Sequence, residues 1–239
     1  SAASDVYKRQ VIMSGADNLH ILHLPILTTG RYHPKPEFLI IKRSFDLIVS
    51  ILVFILVSPA FLLVSILIKF DDQGPVFYKQ ERLTKNGKRF KVIKFRSMRT
   101  DAEKDGVARL STGDQDNRVT KIGKFLRKVR LDEIPQLINI IKGEMSIVGP
   151  RPERPSIATQ YEKKLPEFNL RLQAKAGLTG YAQVYGKYNT DPYNKLKMDL
   201  MYIAHPSVLE DLKIMFATVK IIFISDSTEG IDSDKTNAI

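Results

Sequence analysis

Residues 47–68 read LIVSILVFILVSPAFLLVSILI, 22 consecutive residues without a charge. As helix the run extends about 33 Å, one hydrocarbon thickness. It is apolar on every face and too long for an ordinary core helix, so it predicts a membrane-embedded helix. It starts too far in for a secretory leader, and no small-residue cleavage site follows it. Ser58-Pro59 sits at its middle, where proline lacks an N–H and clashes with the carbonyl four residues back, predicting a kink. Lys42 and Arg43 precede the run, and Lys69, Lys79, Arg82, Lys85, Lys88 and Arg89 follow it, so both flanks favour the same, cytoplasmic side. A helix-break-helix that enters the bilayer, turns at Ser58-Pro59 and leaves by the same face satisfies both flanks; a kinked span is the alternative. The Ser58 hydroxyl is then available to a carbonyl freed at the break.

Outward from this run the chain divides into four parts. Residues 1–37, with Pro25, Pro34 and Pro36, read as a tether or the remnant of a preceding domain. Residues 38–69 form a basic approach and the membrane helix, in which Lys42 and Arg43 can meet the phosphates of anionic lipids. Residues 70–224 read as a folded domain on the cytoplasmic face, and 225–239 as a flexible tail. After the membrane run, PVFYKQERL and KRFKVIKF flank TKNG, and Asn86-Gly87 is a strong hairpin signal. Helices are predicted from Thr120, up to Gly143, over 156–173 with an interruption at Pro166, and over 194–203 and 208–224; Tyr181 to Tyr185 reads as a short strand or extended rim. The fold class is therefore α+β and mostly helical, a membrane-associated domain, monotopic on the re-entrant helix-break-helix path, with a small β-hairpin.

Composition narrows the chemistry. Of 239 residues, 37 are Lys or Arg against 26 Asp or Glu, a formal charge of +11 that asks for anionic ligands. Residues 69–130 hold 18 Lys or Arg and 8 Asp or Glu, so 18 − 8 = +10 of that charge sits in one segment. Cysteine is absent, which removes thiolate nucleophiles and Cys-ligated metals, and the four histidines form no metal-binding spacing.

The segment LDEIPQLINII at 131–141 places Asp132 and Glu133 at a helix start, where Asp132 suits the N-cap and Pro135 the first turn. The helix dipole and nearby cations favour ionised carboxylates, suited to metal binding or nucleophilic attack. Without histidine or cysteine, the oxygen-rich metal choice is Mg²⁺, whose natural partner is a diphosphate. A plain capping role is the bland reading of such a pair. Here, however, Arg127, Lys128 and Arg130 precede it and Arg151 and Arg154 follow it, a set that matches phosphoryl transfer. No P-loop, GxGxxG or kinase signature is present.

These motifs together closely resemble the bacterial sugar transferases, monotopic phosphoglycosyl transferases that load a sugar-1-phosphate onto polyprenyl phosphate. The resemblance covers nearly all of 38–224: KRSFD at 42–46, Ser58-Pro59, GPVFYKQ at 74–80, FKVIKFRSM at 90–98, LDEIPQL at 131–137, KGEMSIVGPRP at 142–152, GLTGYAQVYGK at 177–187 and MDLMYI at 198–203. It implies that Asp132 is the nucleophile toward a UDP-sugar, that UMP leaves, and that undecaprenyl phosphate then takes the phosphosugar. Glu133 would assist through the Mg²⁺ site or as a base. Arg96, Arg118, Arg151 and Arg154 are the implied phosphate-binding residues, and Asp199 would complete a metal set with Asp132 and Glu133 or form a structural salt bridge. The resemblance also favours the re-entrant helix, a bacterial inner-membrane location with the catalytic domain on the cytoplasmic face, and surface-glycan synthesis such as exopolysaccharide or capsule; a homo-oligomer is compatible with it. The chain departs from many relatives in carrying Lys175-Ala176 where they have a proline before the glycine-rich block, a difference that bears on sugar specificity. The competing reading is a non-catalytic membrane scaffold whose basic face binds anionic lipid or RNA, but no nucleic-acid signature supports it and no nucleic-acid partner is expected.

Overall fold

The computed structural model describes residues 16–21, 24–29, 34–102, 116–186 and 191–222. Strands β1 (Ala16–Ile21) and β2 (Leu24–Thr29) pair antiparallel, an element the irregular leading sequence does not announce. The proposed tail at 225–239 lies outside the described residues.

Helix α1 (Pro36–Asp72) carries the apolar run. It is long and apolar enough to cross a membrane, and only 11% of its most apolar 18-residue window is buried against the rest of the protein. Leu52, Ile55, Leu56, Leu62 and Leu63 are all more than half exposed, a surface that water does not tolerate and lipid does. Pro59 lies inside the helix. It leaves the Ile55 carbonyl without its N–H donor, and Ser58 Oγ donates to that same carbonyl at 2.8 Å. The chain therefore stays helical through Ser58-Pro59, one continuous helix where the sequence predicts a helix-break-helix, because the hydroxyl bond replaces the one proline removes.

Both limbs dock on the same body. On the N-terminal limb Lys42 is buried and pairs with Asp211 at 2.6 Å. Arg43 donates to the carbonyls of Ile140 and Ile141 at 2.7 and 2.8 Å. Asp46 accepts from Ser146 Oγ at 2.7 Å and from the Ile147 N–H at 3.1 Å. This corrects the expected lipid-phosphate role of Lys42 and Arg43: both are spent on tertiary contacts, because an unpaired buried cation would cost more than the pair. On the C-terminal limb Val64 and Ile68 are buried with Phe95 and Leu126, and the Phe61 ring packs on Phe95 at 4.7 Å between centroids.

The hairpin forms where Asn86-Gly87 predicts it. Strands β3 (Phe77–Leu83) and β4 (Arg89–Phe95) pair antiparallel from Phe77↔Phe95 to Leu83↔Arg89. Asn86 and Gly87 both adopt positive φ, at 59° and 70°, as a tight twisted turn requires. Next come α2 (Lys121–Lys128), capped by Thr120, a 3₁₀ turn at Leu131–Glu133, and α3 (Gln136–Lys142), ended by Gly143 at φ 83°. Asn139 of α3 is fully buried; its side chain accepts from Ile93 N–H at 3.0 Å and donates to Lys91 O at 2.9 Å. One amide thus stands in for a third strand along the edge of β4.

Strand β5 (Ser146–Val148) pairs parallel with β6 (Gly177–Thr179), and between them lie α4 (Pro155–Lys164) and a 3₁₀ helix at Pro166–Gln173. The strands approach so closely that a Cβ on Gly177 would fall 2.1 Å from the Gly149 nitrogen. The extended segment is therefore 177–179, and the expected rim at Tyr181 to Tyr185 is instead a helical turn, α5 (Tyr181–Val184). Helices α6 (Pro192–Ala204) and α7 (Val208–Ile222) close the body. Its core gathers Val92, Ile140, Met145, Val148, Phe168, Leu196, Ile203 and Ile214.

Candidate active site

The 3₁₀ turn at Leu131–Glu133 is where the chain leaves α2 and enters α3. Arg130 takes a left-handed conformation, φ 55°, to make that corner, and the turn presents Asp132 and Glu133 side by side. Asp132 does not cap α3; Pro135 occupies the cap position, and no side chain bonds there. That corrects the expected N-cap role.

The two carboxylates sit in different fields. Burial works to raise the Glu133 carboxyl, but Lys94 and Arg151 outweigh it and hold it well below the usual carboxylate range. Lys94 Nζ lies 2.5 Å and Arg151 Nη2 3.3 Å from the same Glu133 oxygen. Asp132 is shifted the other way, to about 6, by burial above all and by the charge of Glu133; Lys94, Arg127 and Arg151 oppose this without cancelling it. Asp132 is consequently less firmly ionised than a carboxylate among cations is expected to be, though at neutral pH the charged form still dominates.

Glu133 faces a shallow, open cleft lined by Arg82, Lys94, Gln136, Arg151, Pro152 and Gly177 among others. The Arg82 guanidinium donates to Pro152 O at 3.1 Å and to Gln80 at 2.5 Å. Burial, then Arg151 and Arg154, pull its pKa down to about 10. Glu153 and Glu133 offset part of this repulsion, and Arg151 is itself held charged by Glu133, so the cleft pairs its cations with resident carboxylates.

Of the sequence-predicted residues, the structure brings Asp132, Glu133 and Arg151 together, with Arg154 acting on the cleft through Arg82. Arg96 and Arg118 do not line this cleft. Arg96 is buried under Gly74, where a Cβ would fall 1.7 Å from its Nη1. Arg118 is clasped by Asp116, with Nε and Nη2 at 2.8 and 2.7 Å from its two oxygens. Asp199 is also elsewhere: it is buried and paired with Arg171 at 2.7 Å. Among the described residues no group of three or more Asp, Glu or His side chains could hold a metal. The expected three-carboxylate set is thus not assembled, and what remains is the Asp132–Glu133 pair, a number that suits Mg²⁺ only when substrate phosphates supply further oxygens.

Lys94 and Arg82 were not singled out by sequence reasoning. Both lie on hairpin strands among many other cations, and strand alternation alone does not show which lysine turns toward the acidic pair. Arg127, a flanking charge in the sequence, donates to Ser97 Oγ at 2.8 Å and acts on Asp132.

A lipid-facing helix folded into the same unit as this small α+β body is the architecture of a membrane-associated domain. The chain belongs to the Bacterial sugar transferase family, whose profile matches residues 38–225. It is 35% identical over 217 residues to a UDP-N-acetylgalactosamine-undecaprenyl-phosphate N-acetylgalactosaminephosphotransferase of Aeromonas hydrophila, covering 90% of this chain and 51% of the relative. To a UDP-glucose:undecaprenyl-phosphate glucose-1-phosphate transferase of Klebsiella pneumoniae it is 43% identical over 194 residues, 79% of this chain and 41% of the relative. The exopolysaccharide production protein PSS of Rhizobium leguminosarum bv. phaseoli is 41% identical over 201 residues, 80% of this chain and 98% of that protein. The chain spans about half the length or less of the first two.

Proposed function

We propose that this protein transfers a sugar-1-phosphate from a UDP-sugar to polyprenyl phosphate, undecaprenyl phosphate in a bacterial membrane, and releases UMP. The observation that carries the reading is the Asp132–Glu133 pair set beside Lys94, Arg82 and Arg151 on a body clasped to a lipid-facing helix. Asp132 attacks the β-phosphorus of the UDP-sugar; the bond from that phosphorus to the bridging oxygen breaks, and UMP departs with the electron pair. An oxygen of polyprenyl phosphate then attacks the same phosphorus and returns Asp132 as a carboxylate. Arg82, Arg151 and Lys94 neutralise and align the phosphate oxygens in both steps. Glu133, held ionised by two cations, is a poor base and serves as an anionic anchor. Mg²⁺, held by Asp132 and Glu133 together with the substrate, would supply charge neutralisation at the diphosphate.

Both limbs of α1 rest on one polar body, and that body cannot pass through hydrocarbon, which supports a re-entrant path that keeps the site at headgroup depth on the cytoplasmic face. The soluble nucleotide sugar and the lipid phosphate then meet without carrying charge across the bilayer. The names of the relatives divide between glucose and N-acetylgalactosamine, so the reading stops at UDP-sugar. The test is UMP release by detergent-purified protein given Mg²⁺, undecaprenyl phosphate and either UDP-glucose or UDP-N-acetylgalactosamine. Wild-type protein should release UMP and retain a labelled phosphosugar, and Asp132→Asn should do neither. An active Asp132→Asn protein would sink the covalent route.

A further inference from the structure

Directly behind Arg151 lies a buried ionic cluster that the transfer chemistry does not use. Arg171, on the 3₁₀ helix Pro166–Gln173, has a side chain only 3% exposed. Its Nη2 lies 2.7 Å from Asp199 of α6 and donates to the main-chain carbonyl of Arg151 at 2.8 Å. Its Nη1 lies 3.5 Å from Glu153, and its guanidinium rests on the Phe168 ring at 4.8 Å. Asp199 is 1% exposed. Burying such a group of charges costs desolvation that apolar side chains of similar volume would avoid, so stability is a weak reason for its presence.

Its contacts offer a better reason. Arg151 stands between Pro150 and Pro152, so its side chain is aimed by a stiff main chain with few hydrogen bonds of its own. Gly177 N–H donates to Pro150 O at 2.9 Å on one side, Arg82 to Pro152 O at 3.1 Å on the other, and Arg171 takes the carbonyl between them. With three successive carbonyls held, the Arg151 guanidinium is aimed at Glu133. We propose that Arg171, itself oriented by Asp199, is a positioning residue for the transfer: it fixes the Arg151 main chain and through it the phosphate-binding face of the Asp132–Glu133 site. Of the two roles the sequence left open for Asp199, metal ligation or a salt bridge, this gives the salt bridge a positioning part in the transfer, and it rests on the proposed transfer reaction.

The test is a double-mutant cycle of Arg171→Lys and Arg151→Met read by UMP release, with folding checked by thermal melting in detergent. Lysine keeps the charge but cannot hold Asp199 and the Arg151 carbonyl with one planar fork. Arg171→Lys should lower kcat by about 100-fold with little change in KM, the scale of loss that misplacement by about 1 Å produces. In the Arg151→Met background the same change should cost less than about twofold, because the device then has nothing to aim. Equal losses in both backgrounds, or no loss in the first, overturn the inference. Should Arg171→Lys not fold, Asp199→Asn takes its place in the same cycle. Amide exchange judges the positioning apart from activity: Arg171→Lys should speed exchange at Gly177 and Leu83, whose N–H groups donate to Pro150 O at 2.9 Å and Glu153 O at 3.0 Å, and leave Asn139 to Ile141 unchanged, whereas uniform acceleration, or none, overturns it. If wild-type protein releases no UMP, the transfer reading falls and exchange alone decides the positioning.

Discussion

Asp132 and Glu133 are neighbours in the chain, yet their surroundings push their carboxyl groups in opposite directions. The consequence for a nucleophilic Asp132 is an acid limb in UMP release: activity should rise with pH through about 6 as its carboxylate forms. Replacing Glu133 by Gln removes a charge that raises Asp132, so at fixed Mg²⁺ the residual activity should show that limb at lower pH. A limb that stays in place would argue that another group titrates. The sign for stability is opposite. A carboxyl raised by folding stabilises fully below its unfolded value, about 3.9 for Asp, and that contribution is lost as pH rises through about 6. Asp132→Asn should therefore melt no lower than wild type near pH 7.5 while losing activity. At this scale the acidic pair and Arg151 were legible because their motifs stand out against the chain. Lys94 was not, because one lysine on a basic hairpin looks like its neighbours until Glu133 is placed 2.5 Å away.

Among the elements, the hairpin and the apolar helix were readable from local chemistry, Asn86-Gly87 for the first and an uncharged run for the second. The parallel pair of β5 and β6 was not, since three-residue strands carry too little pattern and Gly177 answers to a contact with Gly149, far away in the chain. Gly177→Ala should cost roughly 1–3 kcal/mol, the scale of overpacking, and lower the melting temperature, because its Cβ would meet main chain that cannot swing aside. An unchanged melt would show that the two strands have slack. For α1, the absence of cysteine makes single reporters clean. Cysteines placed at Lys35 and Gln73 should both react with an impermeant maleimide in inverted membrane vesicles and neither in right-side-out ones. Labelling from opposite sides would establish a span in place of the re-entrant path.

Across the whole molecule, the membrane helix is a structural member of the folded body and not a detachable anchor. Lys42, Arg43 and Asp46 bind α7, the end of α3 and the start of β5, while Val64 and Ile68 complete a core with Phe95 and Leu126. A chain beginning after Asp72 would leave Asp211 buried without its cation and the Ile140 and Ile141 carbonyls without Arg43. It should lose cooperative unfolding and near-ultraviolet dichroism, whereas a separable anchor would leave a folded soluble domain. The amino-acid sequence by itself determined that the chain embeds a helix in lipid, carries a basic hairpin and presents two adjacent carboxylates, since uncharged length, turn residues and neighbouring positions are local properties. Only the tertiary structure decided which cations stand beside the acidic pair. Arg82, Lys94 and Arg151 reach it, Arg96 and Arg118 are engaged elsewhere, and Lys42 and Arg43 hold the fold, because a charge takes its role from the partner that burial forces upon it.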